Sequence, residues 1–179
     1  MTTYVALLRG INLGARNKIG MEDLRRLCLD LGLSDVQTYV QSGNVIFRSA
    51  EGDAPRLAAA IEERIAHDLG LTVPVLLRTA DDLAQVVANN PFLGREPDLS
   101  ALHVTFLART PPRDRAARLE TTAGEADECA LAGREVYIYC PHGYGRTKLN
   151  NAFIERRLGV AATTRNWKTV TTLRDLASA

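Results

Sequence analysis

Apolar positions along the chain alternate between a short-run pattern and a helical one. Tyr4 to Leu8 is an unbroken apolar run with the length of a buried strand. Leu24, Leu27, Cys28 and Leu31 then fall on one helical stripe, and Gly32 supplies a C′ stop. Val36 to Val40 and Val45 to Phe47, rich in β-branched and aromatic residues, flank the turn-forming Ser42-Gly43-Asn44 and read as a hairpin. Leu57, Ile61, Ile65 and Leu69 mark a second helix closed by Gly70. Val73 to Leu77 reads as a strand in which Pro74 fits an edge or a start, and Asp81 to Ala88 as a short helix.

The order then repeats. Leu102 to Leu107 is a strand, Arg113 to Ala123 a helix, and Glu128 to Leu131 with Glu135 to Cys140 a hairpin turning at Ala132-Gly133. Leu149, Phe153 and Leu158 mark a helix ended by Gly159, Val160 to Arg165 a short strand, and Val170, Leu173 and Leu176 a last helix. Asn89-Asn90-Pro91, with Gly94 and Pro97, is the clearest break in the pattern. The expected architecture is therefore α+β: two ferredoxin-like βαββαβ units with antiparallel sheets and helices on one face. The expected boundaries are residues 1–90, a linker at 91–100, and residues 101–179. Only the order of elements repeats; the residues do not.

Residues 9–20 follow the first strand and combine three glycines with Arg9, Arg16 and Lys18 and no acid. Glycine admits positive φ and close approach, so such a loop lets an anion reach backbone N–H groups and cations. In a βαββαβ unit the first strand ends at the same sheet edge as the hairpin between the second and third. This expectation places Arg9, Gly10 and Asn12 beside Gln41, Ser42, Gly43 and Asn44, a set that with Lys18 of the same loop is able to hold a small polar ligand or a nucleotide edge. The competing reading is a polar turn network in which Asn and Ser satisfy loop backbone.

The run Ala6-Leu7-Leu8-Arg9-Gly10-Ile11-Asn12-Leu13-Gly14, together with Thr38-Tyr39-Val40-Gln41-Ser42-Gly43-Asn44-Val45, resembles the start of the bacterial family called domain of unknown function 1697. Tyr144 to Asn151 and Thr163 to Val170 are similar to that family's C-terminal motifs, so the resemblance covers nearly the whole chain. It implies an α+β fold and transfers no activity. Ala15 stands where the family often has a second glycine after Gly14, which weakens a purely phosphate-cradling role for the loop.

Charge separates the chain into zones. The 179 residues carry a net charge of only +1, yet all three lysines, Lys18, Lys148 and Lys168, fall in two basic segments. The second segment, residues 143–168, sets Arg146, Lys148, Arg156, Arg157, Arg165 and Lys168 against Glu155. Residues 21–142 hold the compensating acidic excess. A phosphate-bearing partner, nucleotide or nucleic acid, follows if the two segments share a surface, and two solvated faces follow if they do not.

Gly143-Tyr144-Gly145-Arg146-Thr147-Lys148 precedes a helix, and a glycine turn at a helix N-terminus presents N–H groups to anions. The spacing is not that of a nucleotide-hydrolase loop, because Lys148 follows Thr147. The anion site that survives uses Arg146, Thr147 and Lys148; the alternative makes Thr147 a helix cap with the cations exposed. Trp167, between Asn166 and Lys168 and just after Arg165, could stack on a base or anchor a core. Tyr137 and Tyr139 share one strand face but lack the RNA-recognition aromatic pattern.

Catalytic and metal signals are thin. Ser42 has no nucleophile-elbow context, and His67, His103 and His142 show no ligand spacing, so neither a metal nor a cofactor is expected. Cys28, Cys129 and Cys140 are odd in number and far apart, which fits a reducing, cytoplasmic setting. Neither an export signal nor an 18-residue apolar span is evident, so no membrane partner is expected. Three readings stand: a binding protein for a phosphate-bearing ligand, an enzyme acting on a small anionic substrate, and a structural or accessory homodimer.

Overall fold

The computed structural model describes residues 1–120 and 126–179. It holds two four-stranded antiparallel sheets and six helices. The chain divides into two compact units, residues 1–84 with 173–179, and residues 85–172. The segment at 91–100 contains two 3-10 turns, Leu93–Arg95 and Leu99–Ala101.

In the first unit the elements are β1 Thr2–Leu8, α1 Met21–Asp30, β2 Ser34–Tyr39, β3 Asn44–Ser49, α2 Ala54–Leu69 and β4 Val75–Thr79. The sheet order is β2-β3-β1-β4, so β1 is central, which is why its sequence is a continuous apolar run with both faces buried. Tyr4, Ala6 and Leu8 join Leu24, Leu27, Cys28, Phe47, Leu57, Ile61 and Ile65 in one core. The N–H of Leu33 donates to Cys28 O (3.2 Å) across Gly32, whose φ is +82°, closing α1 as its C′ glycine requires. The fourth strand begins at Val75, two residues later than the apolar pattern implies; β4 is a sheet edge, and Pro74 lies just before it.

The second unit repeats the order with β5 Leu102–Leu107, α4 Arg113–Glu120, β6 Glu128–Ala132, β7 Glu135–Tyr139, α5 Asn151–Leu158 and β8 Ala162–Asn166. Its sheet order is β6-β7-β5-β8. The expected continuation of the fourth helix over residues 121–123 lies outside the described residues. Leu107, Leu119, Val136, Ile138, Ile154 and Leu158 form its core. Two further helices, α3 Ala80–Ala88 and α6 Trp167–Ser178, follow β4 and β8 directly. A reciprocal cap starts α3: the Asp82 N–H donates to Thr79 Oγ1 (3.1 Å) and the Thr79 N–H to Asp82 Oδ2 (2.9 Å).

The registers of the two sheets correspond. Val5 faces Arg78 across β1 and β4, and Val104 faces Arg165 across β5 and β8. The same backbone joints recur: Leu8 N to Gly43 O and Arg9 N to Pro74 O in one unit, Leu107 N to Arg134 O and Ala108 N to Ala161 O in the other. The residue-level difference between the halves thus lies over a shared backbone plan.

Candidate functional site

In the first unit the end of β1 and the β2–β3 hairpin meet. The last pair of the β2–β3 ladder is Tyr39 with Asn44, so residues 40–43 form the tip and Asn44 belongs to the strand rather than the turn. Closure of that tip puts Val40 at φ +52°, and its β propensity is overridden by the four-residue connection. Gly43 sits at φ +88° under Ile11 and Leu8; a Cβ there would lie 2.6 Å from Ile11 Cδ1 and 2.9 Å from Leu8 Cβ. The glycine is required both by conformation and by space.

Asparagines hold the loop at 9–20. The Asn12 amide donates to Ile19 O (3.0 Å) and Gln41 O (2.8 Å), and its oxygen accepts from the Ile19 N–H (2.9 Å). The Asn17 amide donates to Gly10 O (3.1 Å), while the Asn12 N–H donates to Asn17 O (3.0 Å). Asn12 and Asn17 both have positive φ, at 54° and 48°, a conformation Asn tolerates better than most residues. Buried Asn44 donates to Tyr39 O (2.8 Å) and Ser42 Oγ (3.0 Å). The loop and the hairpin tip meet through Asn12 at Gln41 and through Leu8 and Ile11 at Gly43, and the asparagine amides there hold backbone. Arg9 and Gly10 are half-buried, whereas Arg16, Lys18, Gln41 and Ser42 are exposed together with the apolar Leu13 and Val40.

In the second unit the glycine turn does not open a helix. Tyr144–Arg146 is a 3-10 turn, and α5 starts only at Asn151, capped by Asn150, whose Oδ1 accepts from the Phe153 N–H (2.9 Å). Thr147 is buried and accepts from the Leu149 N–H (3.2 Å), so it is not the helix cap. Four residues therefore separate Arg146 from the first turn of α5, and the expected N-terminal anion cradle is not formed by Gly143 to Lys148. Arg146 and Lys148 are exposed.

Behind this turn lies a polar cluster that motif spacing does not reveal. Thr105 and Thr164 are cross-strand partners with hydroxyls 2.7 Å apart. Thr164 Oγ1 donates to Asn151 Oδ1 (2.6 Å), so with its one proton used, Thr105 must donate to it. Burial raises the Tyr144 phenol, and its ring stacks on His103 with centroids 4.8 Å apart. Burial also lowers the His103 pKa, so this imidazole is neutral at pH 7. The only sequence signal for the cluster is the period-two placement of His103 and Thr105 on β5.

The remaining candidates lie deeper. Trp167 is 4% exposed and Arg165 is 6% exposed, so neither presents a surface for stacking or direct phosphate contact. Burial draws the Arg165 guanidinium down to about 10, still charged at neutral pH, and it donates to Thr163 Oγ1 (2.7 Å) and Thr164 O (3.0 Å). Asn166 caps α6 by accepting from the Thr169 N–H (2.8 Å). Tyr137 is buried with its hydroxyl donating to Val86 O (2.8 Å), and Tyr139 pairs with Phe92, which removes the aromatic strand face as a platform. Burial pushes the Cys28 thiol up to about 12 and that of Cys140 to about 11, so both stay protonated and unreactive at neutral pH. Among the described residues no group of His, Cys, Asp or Glu could hold a metal ion. None of the described helices is long and apolar enough to cross a membrane.

The two basic motifs occupy different ends of their own sheets. The loop at 9–20 leaves the C-terminal end of β1, whereas residues 141–150 leave β7 beside the start of β5, where the Cys140 N–H donates to Ala101 O (2.9 Å).

Comparison with known proteins agrees with this architecture. The solved structure of a conserved bacterial protein from Streptococcus pneumoniae matches with a TM-score of 0.82 and 25% identity, over 100% of this chain and 99% of that one. No curated protein matches the chain. The family described as "Protein of unknown function (DUF1697)" matches over residues 1–137, and the chain belongs to that family.

Proposed function

We propose that the protein binds a phosphate-bearing ligand, nucleotide or nucleic acid, through the loop at residues 9–20 and the adjoining hairpin tip, on a ferredoxin-like frame. The β2-β3-β1-β4 order with α1 and α2 packed against the sheet supports that frame. One observation carries the ligand reading: the Asn12 side chain, donating two hydrogen bonds and accepting one, holds the loop in a fixed shape while Arg16 and Lys18 stay exposed on a segment without an acid. A preorganised cationic loop loses little conformational entropy on meeting an anion. Exposed Gln41 and Ser42 add neutral donors at the same edge, and Arg9 adds charge behind it. In the second unit Arg146 and Lys148 form a separate cationic turn. Three cysteines without a disulfide support a cytoplasmic setting.

Titration with a nucleoside triphosphate at low salt tests the reading. Binding weakened about ten-fold by the double change Arg16→Gln and Lys18→Gln is the expected result. No binding at low salt, or identical binding by that variant, refutes it. Exposed Leu13 (68%) and Val40 (46%) at the same edge favour a second reading, a homodimer contact, which sedimentation of the full chain would reveal.

A further inference from the structure

The helical layer of the second unit gathers arginines that lie apart in the sequence. Arg113, Arg115 and Arg118 belong to α4, Arg156 and Arg157 to α5, and Arg109 to the segment after β5. Helix α4, which carries three of them, packs against α5, and two of the six, Arg109 and Arg115, meet the C-terminal end of α5. Arg109 Nη2 donates to Gly159 O (3.2 Å), and Arg115 Nη1 donates to Arg156 O (3.3 Å). Gly159 closes α5 at φ +70°, and the Arg115 guanidinium lies against it, 3.3 Å from where a Cβ would stand. Each of these contacts uses one of the five N–H donors of a guanidinium. Arg157 lies over the Phe153 ring at 5.0 Å, which fixes its direction as well. Among the described side chains the acids on the two helices are Asp114 and Glu155, and Glu155 turns to accept from the Ala162 N–H (3.2 Å).

We infer that this arginine surface is a second binding site, one that takes the phosphodiester backbone of a double-stranded nucleic acid. It is independent of the loop at residues 9–20. Guanidinium forks match phosphate oxygens in geometry as well as charge, and a duplex presents about seven phosphate charges over the roughly 12 Å length of an eight-residue helix such as α4. A membrane surface fits less well. The apolar residues of these helices, Leu119, Ile154 and Leu158, are buried, and Phe153 is covered by Arg157, so no large apolar side chain is left to enter a bilayer interface. Recognition here is of backbone and shape, because the site offers charge in place of base-reading pairs of Asn or Gln.

The test is fluorescence anisotropy of the full chain with a labelled RNA duplex of about 20 base pairs, from roughly 20 to 200 mM salt. The parent should bind with affinity falling linearly in log–log form. The triple change Arg113→Gln, Arg118→Gln and Arg156→Gln alters exposed side chains and should weaken binding about ten-fold or more, lowering the salt slope by about 2 to 3. The corresponding three Lys substitutions should keep most of the slope, and Arg16→Gln with Lys18→Gln should stay within about two-fold of the parent. The inference is overturned by no binding at the lowest salt, by a triple variant that binds like the parent, by anionic vesicles binding as tightly as the duplex, or by the loop variant alone abolishing the signal.

Discussion

The side-chain amide of Asn12 lies 2.8 Å from the carbonyl oxygen of Gln41, 29 positions along the chain. This bond joins the loop after β1 to the tip of the next hairpin, and with the two bonds to Ile19 it lets one side chain tie both ends of residues 12–19 to that tip. The residue type follows from two demands met at once: donors and an acceptor on one short side chain, and tolerance of φ +54°.

Replacing Asn12 by Ala should therefore destabilise the protein by about 1–3 kcal/mol, from lost hydrogen bonds and the left-handed backbone. Urea unfolding of Asn12→Ala beside Asn12→Gly separates the two causes, since Gly keeps the backbone and loses only the bonds. A change below about 0.5 kcal/mol in Asn12→Ala would refute the role assigned to this side chain.

Gly43→Ala should be among the most damaging small substitutions in the first unit. The added methyl meets Ile11 at 2.6 Å and Leu8 at 2.9 Å in a backbone at φ +88°, so overpacking and strain add. A loss of more than about 2 kcal/mol is expected in chemical denaturation.

Val40 offers the opposite case. It is exposed and β-branched at φ +52°, so Val40→Asn relieves strain without opening a cavity and should stabilise by up to about 1 kcal/mol. Thermal unfolding checks the sign. A lower melting temperature would mean that the valine side chain holds the hairpin through contacts worth more than the strain.

Tyr137→Phe keeps the ring and removes the hydroxyl that donates to Val86 O at 2.8 Å. The buried carbonyl loses its partner, and a cost of about 1–2 kcal/mol follows. Burial, with a smaller contribution from Glu135, pushes this phenol up to about 12, so the bond should persist across the whole neutral and mildly alkaline range.

Acidification should weaken the second unit through His103. Burial lowers its pKa in the folded state below the ordinary value of 6.5, so the unfolded chain takes up the proton first. The associated stability is present above pH 6.5 and is lost as pH falls from there through the folded value. Melting temperatures between pH 7.5 and about 5 should fall less steeply in His103→Gln than in the parent. Equal slopes would assign the acid sensitivity elsewhere.

The strands and helices were legible in the sequence wherever burial is one-sided or complete. The stripe of Leu57, Ile61 and Ile65 reads as a helix packed on one face, and Tyr4 to Leu8 as a buried strand, which the sheet order makes central. Legibility faded at the ends of elements. Val40 was expected in the strand and lies in the turn, Val73 and Pro74 precede the strand they were expected to start, and Thr147, read as an anion ligand or a helix cap, precedes a helix that Asn150 caps. In each case closure geometry outweighs a local preference of about 1 kcal/mol or less.

For the candidate site the division is similar. Composition alone marked residues 9–20 as a glycine and cation loop, and topology placed Gln41 to Asn44 beside it, because strand direction follows from the order of elements. The roles within that loop depend on hydrogen-bond geometry, which turned Asn12 and Asn44 into loop supports and left Arg16 and Lys18 exposed. Trp167 and Arg165 have polar neighbours in sequence yet are buried, since burial is set by the opposing layer and not by adjacent residues. The arginines of α4 and α5 are separated by a hairpin in the chain and meet only because two helices cover the same face of one sheet. The sequence by itself determined the elements, their order and the existence of a cationic loop, which depend on local periodicity and composition. Only the tertiary structure decided which polar groups hold the fold and which stay exposed, because that depends on distances between residues far apart in the chain.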